Sequence, residues 1–382
     1  MTKVPSALAS TGRIVWTLVT ALVLALAGLA GPARAQSLGV QGDHFTVDGR
    51  ATFLTFLSYF DAMRATDLAG DLSFIKKDAG FDGIRIFPNW WHYSGSPSGC
   101  PSAASDTLFA DNGTIRGDNG DAVAPSGRLR QLILVLRAAQ AQGLIVDVSF
   151  TRETLPNPGD LDIAEYTTAM ARIAFLLREY RNVLFDIQNE RDNGGAKQAL
   201  THDQVRTIRN AIKAADPRRV VMASGGGTRY VSGDLFNANS ATGYTLRSEI
   251  DVIAYHDPRG AGWQDRTTQI ARDLRQVNVP SHPEWARPVY LQEPTRWRMT
   301  TNACGVTETT DQSDPDPQHF RTALHLAKTA GVAAWTFHTQ RAFRLPATGP
   351  LHQQIRALPA GPERDLYLGP TRLTQTRGPR GR

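Results

Sequence analysis

GRLRQLILVLRAAQAQGLIVDVSF, residues 127–150, carries two hydrophobic periods in succession. In residues 127–142, Leu129, Leu132, Ile133 and Leu136 recur three and four positions apart, which places them on one face of an amphipathic helix. Gly143 ends that pattern, because glycine readily adopts the left-handed turn that closes a helix. LIVDVSF at 144–150 then runs almost continuously apolar, without the alternation of a half-exposed strand. Such a run suits a strand covered on both faces, as in a parallel sheet flanked by helices.

The same unit recurs in both directions. TFLTFLSY (52–59) and FDGIRIFP (81–88) read as the first and second strands, with a helix at 68–79 between them. NVLFDIQNE (182–190) is the fourth strand running into its loop, RVVMAS (219–224) the fifth and IDVIAYH (250–256) the sixth. RPVYLQE (287–293) is the seventh and VAAWTFH (332–338) the eighth. Helical patterns at 162–180, 202–215, 265–277, 317–330 and 351–358 separate or follow them, while the Gly-rich stretch 225–248 yields no helix. VQGDHFTVDGR, ahead of the first strand, alternates around Asp–Gly turns and predicts a short β-hairpin. Eight strands alternating with helices predict an α/β fold, a single (β/α)8 TIM barrel with that hairpin at its start. No G-x-G-x-x-G follows the first strand, and Gly225–Gly227 lacks that spacing, so a dinucleotide fold is disfavoured.

The ends read differently from the body. Lys3 and Arg13 precede an uncharged apolar run from Ile14 to Ala30, and Pro32-Ala33-Arg34-Ala35 resembles an A-x-A cleavage site. Residues 1–35 are therefore expected to be a signal peptide cleaved near Ala35, giving a secreted or periplasmic protein with no stable membrane insertion. Residues 36–369 form the barrel domain, and 370–382 a disordered basic tail. The 382-residue chain has a formal charge of +6. Seven of its 42 basic residues lie in those two ends, where there is no acid, and the remaining 35 face 36 acids. The body is thus not a nucleic-acid binder by charge. Two cysteines, Cys100 and Cys304, suit one disulfide in an exported protein, and no metal-ligand or cofactor spacing is present.

Catalytic groups of such barrels sit at the C-terminal ends of strands. The polar residues there are Arg85, Asp147, Ser149, Asn189, Glu190, His256, Glu293 and His338. Two carboxylates, Glu190 after the fourth strand and Glu293 ending the seventh, thus face each other across one mouth. Paired carboxylates are what glycosidic cleavage requires: one protonates the leaving oxygen, and the other attacks the anomeric carbon or activates water.

FDIQNE (185–190) and VYLQEP (289–294) together resemble the catalytic strands of clan A glycoside hydrolases, most nearly the family 5 cellulase-like group. The resemblance runs from Phe53 to His338 as an ordered set of short motifs. It implies a retaining β-glycosidase with Glu190 as acid/base, Glu293 as nucleophile and Asn189 as donor to the substrate 2-hydroxyl. It also implies that Arg85, in IRIF, supports the nucleophile. Trp335, in AAWTFH, corresponds to the family's sugar platform, and His256, in AYHDP, to the first residue of its His-x-Tyr. Two departures stand out. Pro258 occupies the tyrosine's place, with Tyr255 as a substitute to consider, and VDVSFT lacks the histidine that often ends the third strand.

Beside the resemblance, Trp90 and Trp91 follow the second strand and could stack on sugar rings, as could Trp263 and Trp297 in later loops. Asp147 reads as an orienting residue rather than a third catalytic acid. The expected partner is an oligo- or polysaccharide. The alternatives are a catalytically inactive carbohydrate-binding barrel, motivated by Pro258, and a transglycosylase on the same scaffold.

Overall fold

In the computed structural model the helix Gly127–Gln142 closes on Gly143, whose φ of 65° only glycine adopts cheaply, and the strand Ile145–Ser149 follows. The structure describes residues 36–60, 62–89, 107–120, 125–154, 159–191, 199–226, 250–257, 261–276, 286–297, 313–314, 316–339 and 349–368. The expected signal peptide, the basic tail, Trp90, Trp91, both cysteines and Pro258 lie outside the described residues, as does the side chain of Trp297.

The barrel strands are Leu54–Ser58, Gly83–Ile86, Ile145–Ser149, Val183–Asp186, Val220–Met222, Ile253–His256, Val289–Glu293 and Ala334–Phe337. Each pairs in parallel with its neighbours in the chain, and the eighth returns to the first through Ala334↔Leu54 and Phe337↔Leu57. The ring closes at the fifth strand, which is split. Val220–Met222 pairs with the fourth strand, and Gly225–Gly226, two residues on, pairs with the sixth. The fold is the expected (β/α)8 barrel.

Local differences from expectation have local causes. The first connecting helix is α-helical only over Leu68–Ser73 and continues as a π-turn over Phe74–Asp78. The helix expected to reach residue 180 stops at Leu176. The predicted hairpin gains a third strand: Leu38–Gln41, His44–Val47 and Arg50–Thr52 form an antiparallel sheet. Its second turn is Asp48-Gly49, with φ of 53° and 79°, the left-handed pair that a tight hairpin needs.

This small sheet plugs the bottom of the barrel. Leu38 and Phe45 belong to the same buried cluster as Leu54, Phe56, Ile145, Leu184, Val220, Met222, Ala254, Tyr290 and Ala334. These inward residues alternate with outward ones such as Leu57, Val146, Phe185, Tyr255, Leu291 and Phe337, which pack with the helices. Gly83 leaves room for the interior, since a Cβ there would lie 2.5 Å from the Phe56 ring. Towards the C-terminal ends the inward positions turn polar: Ser58, Arg85, Asp147, Ser149, Asp186, His256, Gln292 and Thr336, all buried. That change of character makes the polar floor of the mouth. No helix among the described residues is long and apolar enough to cross a membrane.

Candidate active site

Arg85, wholly buried on the second strand, is the hub. Its Nη1 donates to Glu293 Oε1 at 2.6 Å, its Nη2 to Asn189 Oδ1 at 2.6 Å and its Nε to Ser149 Oγ at 2.9 Å. Asp147 and Asp186 stand 3.6 and 3.8 Å from it, and its guanidinium lies over the Phe87 ring. Burial alone would weaken its hold on the proton, but Glu293, Asp147 and Asp186 outweigh burial and raise its pKa. Arg85 is therefore a fixed cation. The bond to Asn189 Oδ1 also sets the amide so that Nδ2, its donor end, is the one Arg85 does not engage.

The two glutamates converge. One carboxylate oxygen of Glu190, one of Glu293 and an imidazole nitrogen of His256 all lie within 4.8 Å of one another. Glu293 is almost fully buried, whereas the Glu190 side chain is 28% exposed. Glu190 sits at φ 47°, a conformation that non-glycine residues rarely adopt. Its backbone N–H donates to Ser224 Oγ at 3.1 Å, and its side chain passes over Gly226, where the fifth strand meets the sixth. His256 Nδ1 is 3.1 Å from Glu190 Oε1 and 3.6 Å from Glu293 Oε2. Burial opposes charge on His256, but Glu293 and the bond to Glu190 more than offset it, so the pKa is raised. These three groups have the spacing of a metal triad, yet each already has a protein partner: Arg85 on Glu293, and Glu190 on His256.

Other groups close the site from beneath. Gln292 bridges His256 to Asp147 and Asp186, and Tyr290 Oη lies 3.0 Å from Asp147 and 2.7 Å from Thr336. Burial pushes Asp147 up to about 6, with Arg85 acting against it. Asp147 accepts from both Tyr290 and Gln292. His338 binds Ser58 Oγ through Nδ1, with Nε2 3.7 Å from Glu293 Oε2. Gln292, Asp186 and Tyr290 were not among the sequence candidates. For Asp186 and Gln292 the signal was the alternation itself, because they are in phase with the inward Leu184 and Tyr290 of their own strands.

Three expectations are corrected. Trp335 is fully buried and alternates with the inward Ala334 and Thr336, so its ring packs towards the helices, like Phe337, and offers no face to a sugar. Tyr255 likewise points outward, away from the glutamates, and does not take the tyrosine's place. Trp263 is also core: it is 2% exposed, stacks edge-on against Phe320 and bonds Asp314.

No family model and no curated protein matches the sequence. Solved structures do. The chain is similar to a glycoside hydrolase family 5 structure from Bacteroides vulgatus ATCC 8482, with TM-score 0.55 and 14% identity over 82% of this chain and 64% of that one. A second structure from that organism, described as a putative glycoside hydrolase, gives TM-score 0.55 and 14% identity over 84% and 58%. A third, described as a glycoside hydrolase, gives 0.59 and 14% over 90% and 75%. The chain spans about three fifths of the length of the two Bacteroides proteins. At this identity the likeness speaks for architecture alone, the (β/α)8 barrel that the chain shares with these glycoside hydrolases.

Proposed function

We propose that this chain is a retaining glycoside hydrolase that cleaves β-glycosidic bonds of an oligo- or polysaccharide, with Glu190 as acid/base and Glu293 as nucleophile. The observation that carries the reading is that one carboxylate oxygen of Glu190 lies within 4.8 Å of one of Glu293. So close an approach suits a retaining pair, whose carboxyl groups stand ~5–5.5 Å apart, better than an inverting pair, whose groups stand ~6.5–9.5 Å apart to admit a water. The two settings also suit two roles. Arg85 clamps Glu293 Oε1 and leaves Oε2 to attack, while Glu190 reaches solvent, from which the second-step water arrives.

In the first step Glu293 Oε2 attacks the anomeric carbon as Glu190 gives a proton to the departing oxygen. In the second, Glu190 takes a proton from water as its oxygen displaces Glu293. Asn189 Nδ2 donates to the sugar beside the reacting carbon. Trp90 and Trp91 supply stacking surface, a Cys100–Cys304 disulfide ties the loops, and residues 1–35 direct export and are removed. The test is a panel of aryl β-glycosides with NMR of the first-formed sugar. The β-anomer should form first; first formation of the α-anomer, or no turnover on any glycoside, contradicts the reading.

A further inference from the structure

Gln292 belongs to the seventh strand but touches neither glutamate in the contacts described above. Its Nε2 is 2.9 Å from Asp147 Oδ2, 3.1 Å from Asp186 Oδ2 and 3.4 Å from Ser149 Oγ, and its Oε1 is 2.9 Å from His256 Nε2. The amide has only one sensible orientation. Turned over, its oxygen would face two carboxylates in a dry interior, where an unpaired like-charge contact is expensive. With Nε2 facing the aspartates, Oε1 can only accept, so His256 Nε2 must carry a hydrogen. The other nitrogen, Nδ1, then faces Glu190 Oε1 across 3.1 Å. If the ring is neutral, Nδ1 is an acceptor and Glu190 must be the protonated partner. If the ring is charged, Nδ1 donates to an ionised Glu190. One proton is shared in either case, and the opposite tautomer is shut out.

We propose that Gln292 is a positioning residue that fixes the Nε2–H form of His256 and so holds the proton that Glu190 delivers to the leaving oxygen between Nδ1 and Oε1. This inference rests on the glycosidase reading for its catalytic half, but its tautomer half does not. In the forward step the shared proton moves to the glycosidic oxygen as its bond to the anomeric carbon breaks. In the return step the proton taken from water comes back to the same pair. The charged groups facing His256 among the described residues are Glu190, Glu293 and Arg85, with Asp257 next to it in the chain.

The test uses the full chain with histidine labelled in its side-chain nitrogens, the His256 signals being assigned by their loss in His256→Gln. In the wild type, long-range proton–nitrogen spectra should show His256 protonated at Nε2 at every pH from 5 to 9. Gln292→Met keeps the length and removes the acceptor. It should let the Nδ1–H form appear and lower the pH at which His256 loses its charge by about one unit or more. Gln292→Glu, protonated on the oxygen that faces Asp147 and Asp186, restores an acceptor and should keep the Nε2–H form. A wild-type ring in the Nδ1–H form overturns the proposal even if no variant folds, and so does a Gln292→Met spectrum like the parent's. For the catalytic half, alkyl and 2,4-dinitrophenyl β-glycosides of the sugar that the parent hydrolyses are compared. Gln292→Met should lose at least about tenfold more kcat/KM on the alkyl glycoside, which needs the acid, than on the aryl one. Equal losses indicate a merely structural role and overturn the proposal. Failure of the parent on every glycoside instead sinks the glycosidase reading, and is seen before any variant is made.

Discussion

Arg85 Nη1 stands 2.6 Å from Glu293 Oε1, a bond between the second and seventh strands across 208 positions of sequence. The same cation balances Asp147 and Asp186 in a space without solvent. Removing it strands three acids. Arg85→Met should therefore lower unfolding stability by about 3–5 kcal/mol, the usual consequence of breaking a buried pair from one side. Arg85→Lys keeps the charge but not the three-way fork, and should fold better while losing on the order of 100-fold in kcat/KM. Urea unfolding and steady-state kinetics check the pair. A lysine variant with parental kinetics would show that the fork does not position Glu293.

Glu190→Ala should separate substrates by leaving group. Cleavage of a dinitrophenyl glycoside needs little acid help, so its first step should survive while alkyl glycosides lose about 100-fold or more. Azide, which needs no base, should restore turnover and yield a β-glycosyl azide. Uniform loss without rescue would remove Glu190 from the acid/base role.

Trp335→Phe should leave KM within about twofold, because the ring packs among outer-layer side chains and its Nε1 has no hydrogen-bond partner among the described residues. Trp335→Ala should instead destabilise the fold by about 3–5 kcal/mol, as expected when a large core ring is removed. A large rise in KM for the phenylalanine variant, with unchanged stability, would return Trp335 to the sugar.

Asp257 follows His256 and is 4% exposed, with neither carboxylate oxygen hydrogen-bonded among the described residues. Burial pushes its pKa from 3.8 up to about 7, against the pull of Arg266 and His256. Between those values the folded protein keeps a proton that the unfolded chain has released. The group's contribution is therefore complete below pH 4 and is lost as pH rises through about 7. Asp257→Asn should gain on the parent between pH 4 and pH 8 by a difference on the order of 4 kcal/mol. Parallel stability curves for the two proteins would contradict this.

How far the sequence carried the fold and the site depends on what each residue's role is written in. Strand order and the two glutamates were legible because each lies in or directly after an apolar run, and strand ends are where barrel chemistry collects. Helices with a clear period and a stop, such as Gly127–Gln142 and His202–Ala215, were read to the residue. The direction of Trp335 was not, because its strand is buried on both faces and a tryptophan suits either one. Gln292 was passed over because the alternation that turns it inward does not say which residues it meets there, and two of them lie more than a hundred positions away. The split of the fifth strand, which closes the ring, was hidden within the glycine-rich stretch.

The central claim is that Glu293 and Glu190 meet at one anomeric carbon, with Glu293 as the attacking group. Incubation with activated 2-deoxy-2-fluoro β-glycosides of several sugars, followed by peptide mass mapping, tests this most directly. One of those sugars should become covalently attached to the peptide containing Glu293, with loss of activity in step with labelling. A label on Glu190, or hydrolysis of a substrate that proceeds with no covalent species and inverted configuration, would contradict the account.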